Sequence, residues 1–146
     1  MTTSVPPVNG QVIGLAHYAS RAALERVLAR SGTTFEESVA LRAVSDNGGT
    51  VEAARVVGRL TAGLKIEESA AGRTVDELKA RGLLEEPAPG QVSLTDGGRE
   101  LFTSIRAAGD AIAARVYAGI PAEDLAAAGR VLALVTERAE AELAGA

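Results

Sequence analysis

The chain has 146 residues, a formal net charge of −4, and a composition in which 47% of the residues are hydrophobic but only 3% are aromatic. This length suits one compact domain or one two-lobed subunit, and the many small apolar side chains favour closely packed helices. The absence of cysteine excludes disulfides, thiolate chemistry and cysteine-ligated metals, and no apolar run is long enough to span a membrane.

The charge is unevenly distributed along the chain. Residues 1–49 have a net charge of 0, residues 50–82 of +1, and residues 83–146 of −5. The middle third is therefore the part least repelled by nucleic acid, although it is not a strongly basic patch. No basic segment followed by an apolar stretch is visible over residues 1–14, so we expect a cytoplasmic protein without membrane contact.

A tail and a long helix are predicted for the first thirty residues. Residues 1–9 are polar and contain Pro6-Pro7, which favours a loose tail. From about Val12 to Arg30, apolar residues recur at helical spacing, and Ser31-Gly32 ends this helix.

A second helix follows directly. Thr34 and Glu37 have the spacing of a capping box, in which the Thr side chain caps the helix and the Glu side chain reaches back to the Thr amide. This helix is predicted to run to about Ser45, where Asn47-Gly48-Gly49 breaks it.

Two further helices are predicted between residues 50 and 82. Thr50 is expected to begin the first of them, and Lys65-Ile66 marks the turn after it. The second runs over about Glu67–Arg81 and ends at Gly82, a position suited to a C′ glycine. On a helical wheel, one face of this second helix is apolar and the opposite face carries Ser69, Arg73, Asp76 and Ala80.

A hairpin and two long helices complete the pattern. A short strand, a tip at residues 85–91 and a return strand precede Thr95, which is expected to cap a long helix that starts with Gly97-Gly98. Gly119 ends that helix, and Pro121 suits the first turn of a last one. The order helix, hairpin, helix is that of a winged helix, a fold that commonly places one helix in a DNA groove.

The first and last helices have apolar faces that need a partner. In the last helix the apolar residues are spaced three or four apart, which suits packing against another helix, as seen at Leu125, Ala128, Leu132, Val135 and Ala139. Both helices could pack on the core of their own subunit or form the interface of a two-fold dimer. We expect the dimer, because two DNA-reading helices must span two half-sites.

Three stretches of the chain resemble the MarR family of bacterial transcriptional regulators. They are Leu60–Ile66, Ser69–Leu84 with its Leu-x-x-x-Gly-Leu ending, and Val92–Leu101 with its Ser-Leu-Thr-x-x-Gly segment. The order of elements matches over nearly the whole chain. The resemblance implies a homodimeric winged-helix repressor or activator that binds a pseudo-palindromic double-stranded DNA site and is often relieved by a small phenolic or lipophilic ligand.

The resemblance also implies a division of the chain. The whole chain, residues 1–146, would be a single mostly helical subunit with a small β-hairpin wing. Residues 34–99 would form the winged helix-turn-helix lobe. Residues 10–31 and 100–146 would form the dimerisation lobe.

The chain departs from the family pattern at the wing. Family wings usually carry an Asp and an Arg at the hairpin, whereas here the tip is Pro87-Ala88-Pro89-Gly90-Gln91 after Glu85 and Glu86. Glu77 also stands where the family often has a basic residue. Carboxylates repel phosphates. Each lost phosphate contact reduces the magnitude of the slope of log K for DNA binding against log salt concentration by about 0.9. An alternative function is therefore a MarR-like module that has lost DNA binding and recognises a protein or a ligand.

Seven residues are candidates for DNA contact. Arg73 is the candidate for base contact, because Arg to guanine is the commonest specific pairing, and the alternative is a solvated surface Arg. Ser69 could touch DNA or simply cap its helix, and Gly72 could allow close approach to DNA or to a neighbouring helix. Three basic residues could contact phosphates or be ordinary surface charges, and they are Arg55, Arg59 and Lys65. Two further candidates lie on the same helix as Arg73, namely Thr74 and Asp76.

A ligand site is the last candidate feature. His17, Tyr18 and Arg21 could line a pocket, because ligands of the family lie between the dimer helices and the DNA-reading lobe; the alternative is a polar cluster at a surface or interface. A single His without Cys, and carboxylates without the spacing of a binding loop, do not favour a metal site. Because no Ser/His/Asp arrangement and no phosphate-cradling glycine loop is present, we expect neither an enzyme nor a cofactor.

Overall fold

A computed structural model of the chain describes residues 4–145, and it confirms a mostly helical protein with a small β-sheet that includes the wing. The predicted tail residues 1–3 lie outside the described residues. The chain forms two compact units, of which the first ends at Ile112 and the second begins at Ala113. The helices and strands are α1 (Gly10–Leu28, followed by a 3-10 turn, Ala29–Ser31), α2 (Phe35–Asp46), β1 (Thr50–Glu52), α3 (Ala53–Leu64), α4 (Glu68–Ala80), β2 (Leu84–Glu85), β3 (Gln91–Leu94), α5 (Asp96–Val116) and α6 (Ala122–Gly145).

The core of the first unit is an apolar cluster that joins α2, α3, α4 and the sheet. Helix α4 contributes Ala71, Val75 and Leu78, each 3% exposed or less. Helix α3 contributes Val56 and Leu60 to the same cluster. Because an amphipathic helix has one apolar stripe, burial of this stripe determines which face of α4 is turned outward.

The strand β1 is an element that the helical spacing did not predict. Thr50 does not begin a helix: the prediction is wrong, and α3 begins at Ala53. Strand β1 pairs with β3 in an antiparallel sheet of order β1-β3-β2, with Val51 opposite Val92 and Thr50 opposite Ser93. The hydroxyls of Thr50 and Ser93 lie 3.1 Å apart. β-branched residues pack well in strands, and here pairing with a strand distant in the sequence overrides the local helical pattern.

The ends of α2 and α4 follow the predicted local chemistry. Thr34 Oγ1 accepts the N–H of Glu37 at 3.0 Å, and Glu37 Oε1 accepts the N–H of Thr34 at 2.9 Å, which confirms the capping box. Gly82 follows the last turn of α4 with a φ of 72°, and the N–H of Leu83 donates to Leu78 O at 2.9 Å. This pair of features is a Schellman motif, which satisfies carbonyls at the end of a helix.

The start of α5 lies directly against the end of α4. Thr95 Oγ1 accepts the N–H of Gly98 at 3.0 Å, as a helix cap, and the same hydroxyl donates to Gly82 O at 2.7 Å. Gly98 approaches the backbone so closely that a Cβ atom there would lie 2.1 Å from Leu83 O. The predicted glycine-containing start of this helix is therefore confirmed, and its reason is a backbone contact.

The second unit contains α6, which has no buried residue among those described. The apolar seam predicted for the last helix is exposed, together with neighbouring apolar side chains. The large apolar side chains exposed along α6 are Leu125, Val131, Leu132, Leu134, Val135 and Leu143. Exposed apolar surface of this extent generally marks an interaction site. None of the helices between residues 4 and 145 combines the length and the hydropathy that a transmembrane span requires.

We predict that Gly98→Ala lowers the free energy of unfolding by about 1–3 kcal/mol, because its methyl group overlaps a backbone oxygen that cannot move freely. Gly97→Ala is the matched control, since the nearest atom to a Cβ there is 3.8 Å away. Urea denaturation of both variants measures the difference. Equal stability of the two variants would contradict the close packing of α5 against Leu83.

Candidate functional site

Helices α3 and α4 form a helix-turn-helix unit. Residues 65–67 join them, and Lys65 adopts the left-handed conformation with a φ of 56°, which turns the chain sharply. Helix α4 then begins at Glu68. In DNA-binding proteins with this arrangement, the second helix enters the major groove. We therefore call α4 the recognition helix.

The outward face of the recognition helix carries three of the predicted DNA contacts. Ser69, Arg73 and Asp76 are all exposed, and their spacing of four and three residues places them on one face. Within residues 4–145, the side chain of Arg73 has no hydrogen bond or ion pair. The guanidinium therefore presents its donors to solvent rather than to the fold.

Two predictions on this helix need correction. Ser69 does not cap it, because the N-cap is Glu67, which makes no capping hydrogen bond with its side chain. Thr74 does not share the outward face: it is 7% exposed, and its hydroxyl donates to Ala70 O at 3.1 Å. A buried hydroxyl that is satisfied inside its own helix does not reach a groove, so Thr74 belongs to the packed side of α4.

The predicted phosphate contacts on α3 are exposed but already have partners. Arg59 forms an ion pair with Asp46 at 2.9 Å, and Arg55 donates to Asn47 Oδ1 at 3.4 Å. The Lys65 amine donates to Ala62 O at the end of the same helix. The exposed Arg59–Asp46 ion pair contributes little to stability, and the Arg55–Asn47 hydrogen bond is long and exposed, so both arginines can exchange their partners for a phosphate at small cost.

The wing is short, and its charges are negative. Gly90 donates its N–H to the Glu86 carboxylate at 3.2 Å, which closes the tip. At the base of the wing, Gln91 Nε2 lies 3.5 Å from Glu52 Oε1. Glu85 is exposed on β2. Residues 84–94 contain no Lys or Arg, so the wing offers no cation to a phosphate.

Two features near this surface were not predicted from the sequence. The first is Glu52, which β1 places beside the wing. The second is an ion pair between Glu37 and Arg81, which are 44 residues apart. The capping-box pattern identified Glu37, but no local pattern points to its partner. Such a pair becomes visible only when the fold brings α2 and the end of α4 together.

Two of the three predicted ligand-site residues gather around an aromatic ring. The Arg21 guanidinium lies 4.2 Å from the centre of the Phe35 ring, and the His17 ring meets Phe35 edge-on with centroids 6.4 Å apart. Arg21 also forms ion pairs with Glu25 at 3.0 Å and Glu36 at 3.4 Å. Tyr18 is 68% exposed, and its ring meets the His17 ring edge-on with centroids 5.9 Å apart. The cluster combines a cation with aromatic surface, a combination suited to flat or anionic molecules.

Transcriptional regulators of the MarR family have the same fold as this chain. One such regulator shares 27% sequence identity with it, with a TM-score of 0.74 over 92% of this chain and 89% of that chain. CouR from Rhodococcus jostii RHA1, bound to p-coumaroyl-CoA, shares 22% identity with a TM-score of 0.72 over 87% and 90% of the two chains. BpsR from Bordetella bronchiseptica, whose DNA binding is regulated by 6-hydroxynicotinic acid, shares 22% identity with a TM-score of 0.70 over 90% and 99%.

These likenesses confirm the predicted winged-helix fold. No model of a protein family matches the sequence, and no curated protein matches it.

We predict that Gly72→Ala raises the free energy of unfolding by about 1 kcal/mol, the difference in helix propensity between the two residues. A Cβ at Gly72 would meet nothing within 4 Å, so close packing against a neighbouring helix of the described chain does not require the glycine. Gly58→Ala in α3, where a Cβ also meets nothing within 4 Å, is the matched comparison. Thermal denaturation measures both; a destabilised Gly72→Ala beside a stabilised Gly58→Ala would contradict this expectation.

Proposed function

We propose that this chain, whose assignment to the MarR family the solved structures support, is a homodimeric DNA-binding transcriptional regulator. The observation that carries the proposal is the outward face of the recognition helix, where Arg73 has no partner within residues 4–145. In a major groove, an Arg in this position donates two hydrogen bonds to the O6 and N7 atoms of a guanine. Ser69 and Asp76, on the same face, can bond to neighbouring bases or a cytosine amine.

Phosphate contacts would come from the turn and the first helix of the unit. Arg55, Arg59 and Lys65 are exposed there, and contacts of this type position a protein on DNA without reading its sequence. The wing supplies no further phosphate contact, because its exposed charged side chains are carboxylates. We therefore infer that selectivity depends on base contacts from the recognition helix, and that the phosphate contribution is small.

A homodimer is part of this proposal. The described part of α6 has no buried residue, and exposed apolar side chains such as Leu132 and Val135 lie along it. Leu15 on α1 and Tyr117 after α5 are exposed as well. A second copy of the chain is the partner that would cover these surfaces and also place two recognition helices on two half-sites, about 34 Å apart on one side of the duplex.

Ligand control would act on the distance between these two helices. The cluster of His17, Arg21 and Phe35 combines aromatic rings with a guanidinium, and a small aromatic or anionic compound would bind there by exchanging with the Glu25 and Glu36 carboxylates that pair with Arg21. We infer that such a ligand changes the separation of the recognition helices away from one helical turn of DNA. A regulator of this kind would act in the cytoplasm.

The acidic wing supports one alternative function. Glu52, Glu85 and Glu86 are exposed where winged-helix proteins approach the backbone, and each repels phosphates. A chain that had lost DNA binding would keep the fold and the apolar surfaces but select no DNA sequence. Selection from a random duplex library therefore separates the two functions.

We predict that the wild-type chain selects a pseudo-palindromic duplex from a random library, and that Arg73→Ala weakens binding to it by about 1–3 kcal/mol, with relaxed preference at one position per half-site. Arg106→Ala is the control, since Arg106 is an exposed Arg on α5 outside the candidate set. Fluorescence anisotropy on the selected duplex and on its single-base variants measures both effects.

Two results would count against this assignment. If the folded wild-type protein selects no sequence, the alternative function is favoured. If Arg73→Ala binds the selected duplex and its variants as the wild type does, Arg73 is an ordinary surface residue.

We also predict that Leu132→Asp converts the dimer to a monomer, because a buried carboxylate at an apolar interface lacks a partner. Ala141→Asp introduces the same charge on the opposite side of α6, because Ala141 lies nine residues from Leu132, or about two and a half helical turns, and this variant should leave the dimer intact. Sedimentation velocity of the two variants at equal concentration decides this. A Leu132→Asp variant that stays dimeric would place the interface elsewhere.

A further inference from the structure

A partly buried ion pair holds the end of the recognition helix, with a buried carboxylate and a partly exposed guanidinium. The Glu37 side chain is only 3% exposed, and its Oε2 atom accepts a hydrogen bond from Arg81 Nη1 at 2.7 Å. The second nitrogen of the same guanidinium, Nη2, donates to the carbonyl oxygen of Ser31 at 2.9 Å. The other oxygen of Glu37 is occupied by the N–H of Thr34. Both carboxylate oxygens therefore have a donor.

This ion pair joins three parts of the first unit. Ser31 ends the 3-10 turn after α1, Glu37 lies in the first turn of α2, and Arg81 is the C-cap of the recognition helix. A guanidinium is planar and rigid, so two hydrogen bonds from one Arg fix an orientation as well as a distance. The end of α4 is thereby attached to the junction between α1 and α2.

We propose that Arg81 is a positioning residue that sets the placement of the recognition helix relative to the α1–α2 junction. The inference rests on the proposed function, because α1 carries part of the exposed surface assigned to the dimer. The apolar stripe of α4 fixes which face is outward, but a stripe permits small rotations and shifts of the helix. The directional bonds from Arg81 restrict those movements at the end nearest the wing.

The consequence is a narrow preference for the spacing of the two half-sites. If each recognition helix is held at a fixed distance from α1 of its own subunit, a duplex with one base pair added or removed between the half-sites binds poorly. If the attachment is loosened, the affinity for the duplex with the correct half-site spacing falls. The affinity for duplexes with incorrect spacings falls less, so the ratio between the two affinities becomes smaller.

The test uses Arg81→Lys in the full-length chain. Lysine keeps a positive charge beside Glu37, which limits unfolding, but a single ammonium does not reproduce the forked contact with both Glu37 and Ser31. Arg99→Lys is the matched control, because Arg99 forms an exposed ion pair with Asp96 outside the network. Each protein is titrated with the duplex selected by the wild type and with versions one base pair shorter and longer.

The expected result is a loss of about tenfold in affinity for the selected duplex, the effect of one charge-assisted hydrogen bond, with a smaller ratio between correct and incorrect spacings. Arg99→Lys should keep both the affinity and the ratio. A general loss of folded protein would lower all three affinities equally. An unchanged ratio in Arg81→Lys, with either unchanged or uniformly reduced affinity, would overturn the positioning role.

A second measurement does not depend on DNA. Amide hydrogen exchange over residues 77–84 and 29–34 should be about tenfold faster in Arg81→Lys than in the wild type, while α3 exchanges at its wild-type rate. If the wild type selects no DNA, the proposed function fails and this measurement alone decides the attachment. Unchanged exchange in both segments would show that Arg81 does not hold the helix, whatever the chain binds.

Discussion

Burial of one apolar stripe on the recognition helix is the interaction on which the rest of the structure depends. Ala71, Val75 and Leu78 pack into the cluster formed by α2, α3 and the sheet, and Thr74 bonds back to its own helix on the same side. The opposite face is left to Ser69, Arg73 and Asp76. The helical periodicity of the sequence places apolar residues on one face of α4 and polar residues on the other. The same pattern therefore determines both the core and the candidate DNA surface.

The charges around this helix indicate how DNA would be recognised. Arg55, Arg59 and Lys65 surround the helix-turn-helix unit, while exposed carboxylates occupy the wing. Cations at the wing would attract phosphates, whereas Glu85 and Glu86 repel them. In the proposed regulator, base contacts from the recognition helix would therefore supply the selectivity, and the second subunit would double the number of contacts.

The sequence predicted those features that depend on local chemistry. The capping box at Thr34, the glycine after α4 and the cap at Thr95 are fixed by residues three to five positions apart, and all three are confirmed. Strand β1 and the Glu37–Arg81 ion pair depend on partners more than 40 residues away, so periodicity gave no sign of them. Ser is a favoured capping residue, but the N-cap of α4 is Glu67, two residues before Ser69.

The measurement that tests the proposed regulator most directly is a salt titration of the wild-type protein on its selected duplex and on an unrelated duplex. Three cations per subunit give six phosphate contacts per dimer, so the slope of log K against log salt concentration should be negative and no larger in magnitude than about 5.4, at about 0.9 per contact. We predict a slope within this limit together with a preference for the selected duplex that persists at every salt concentration. Equal affinity for both duplexes throughout the titration would contradict recognition of a DNA sequence by this chain.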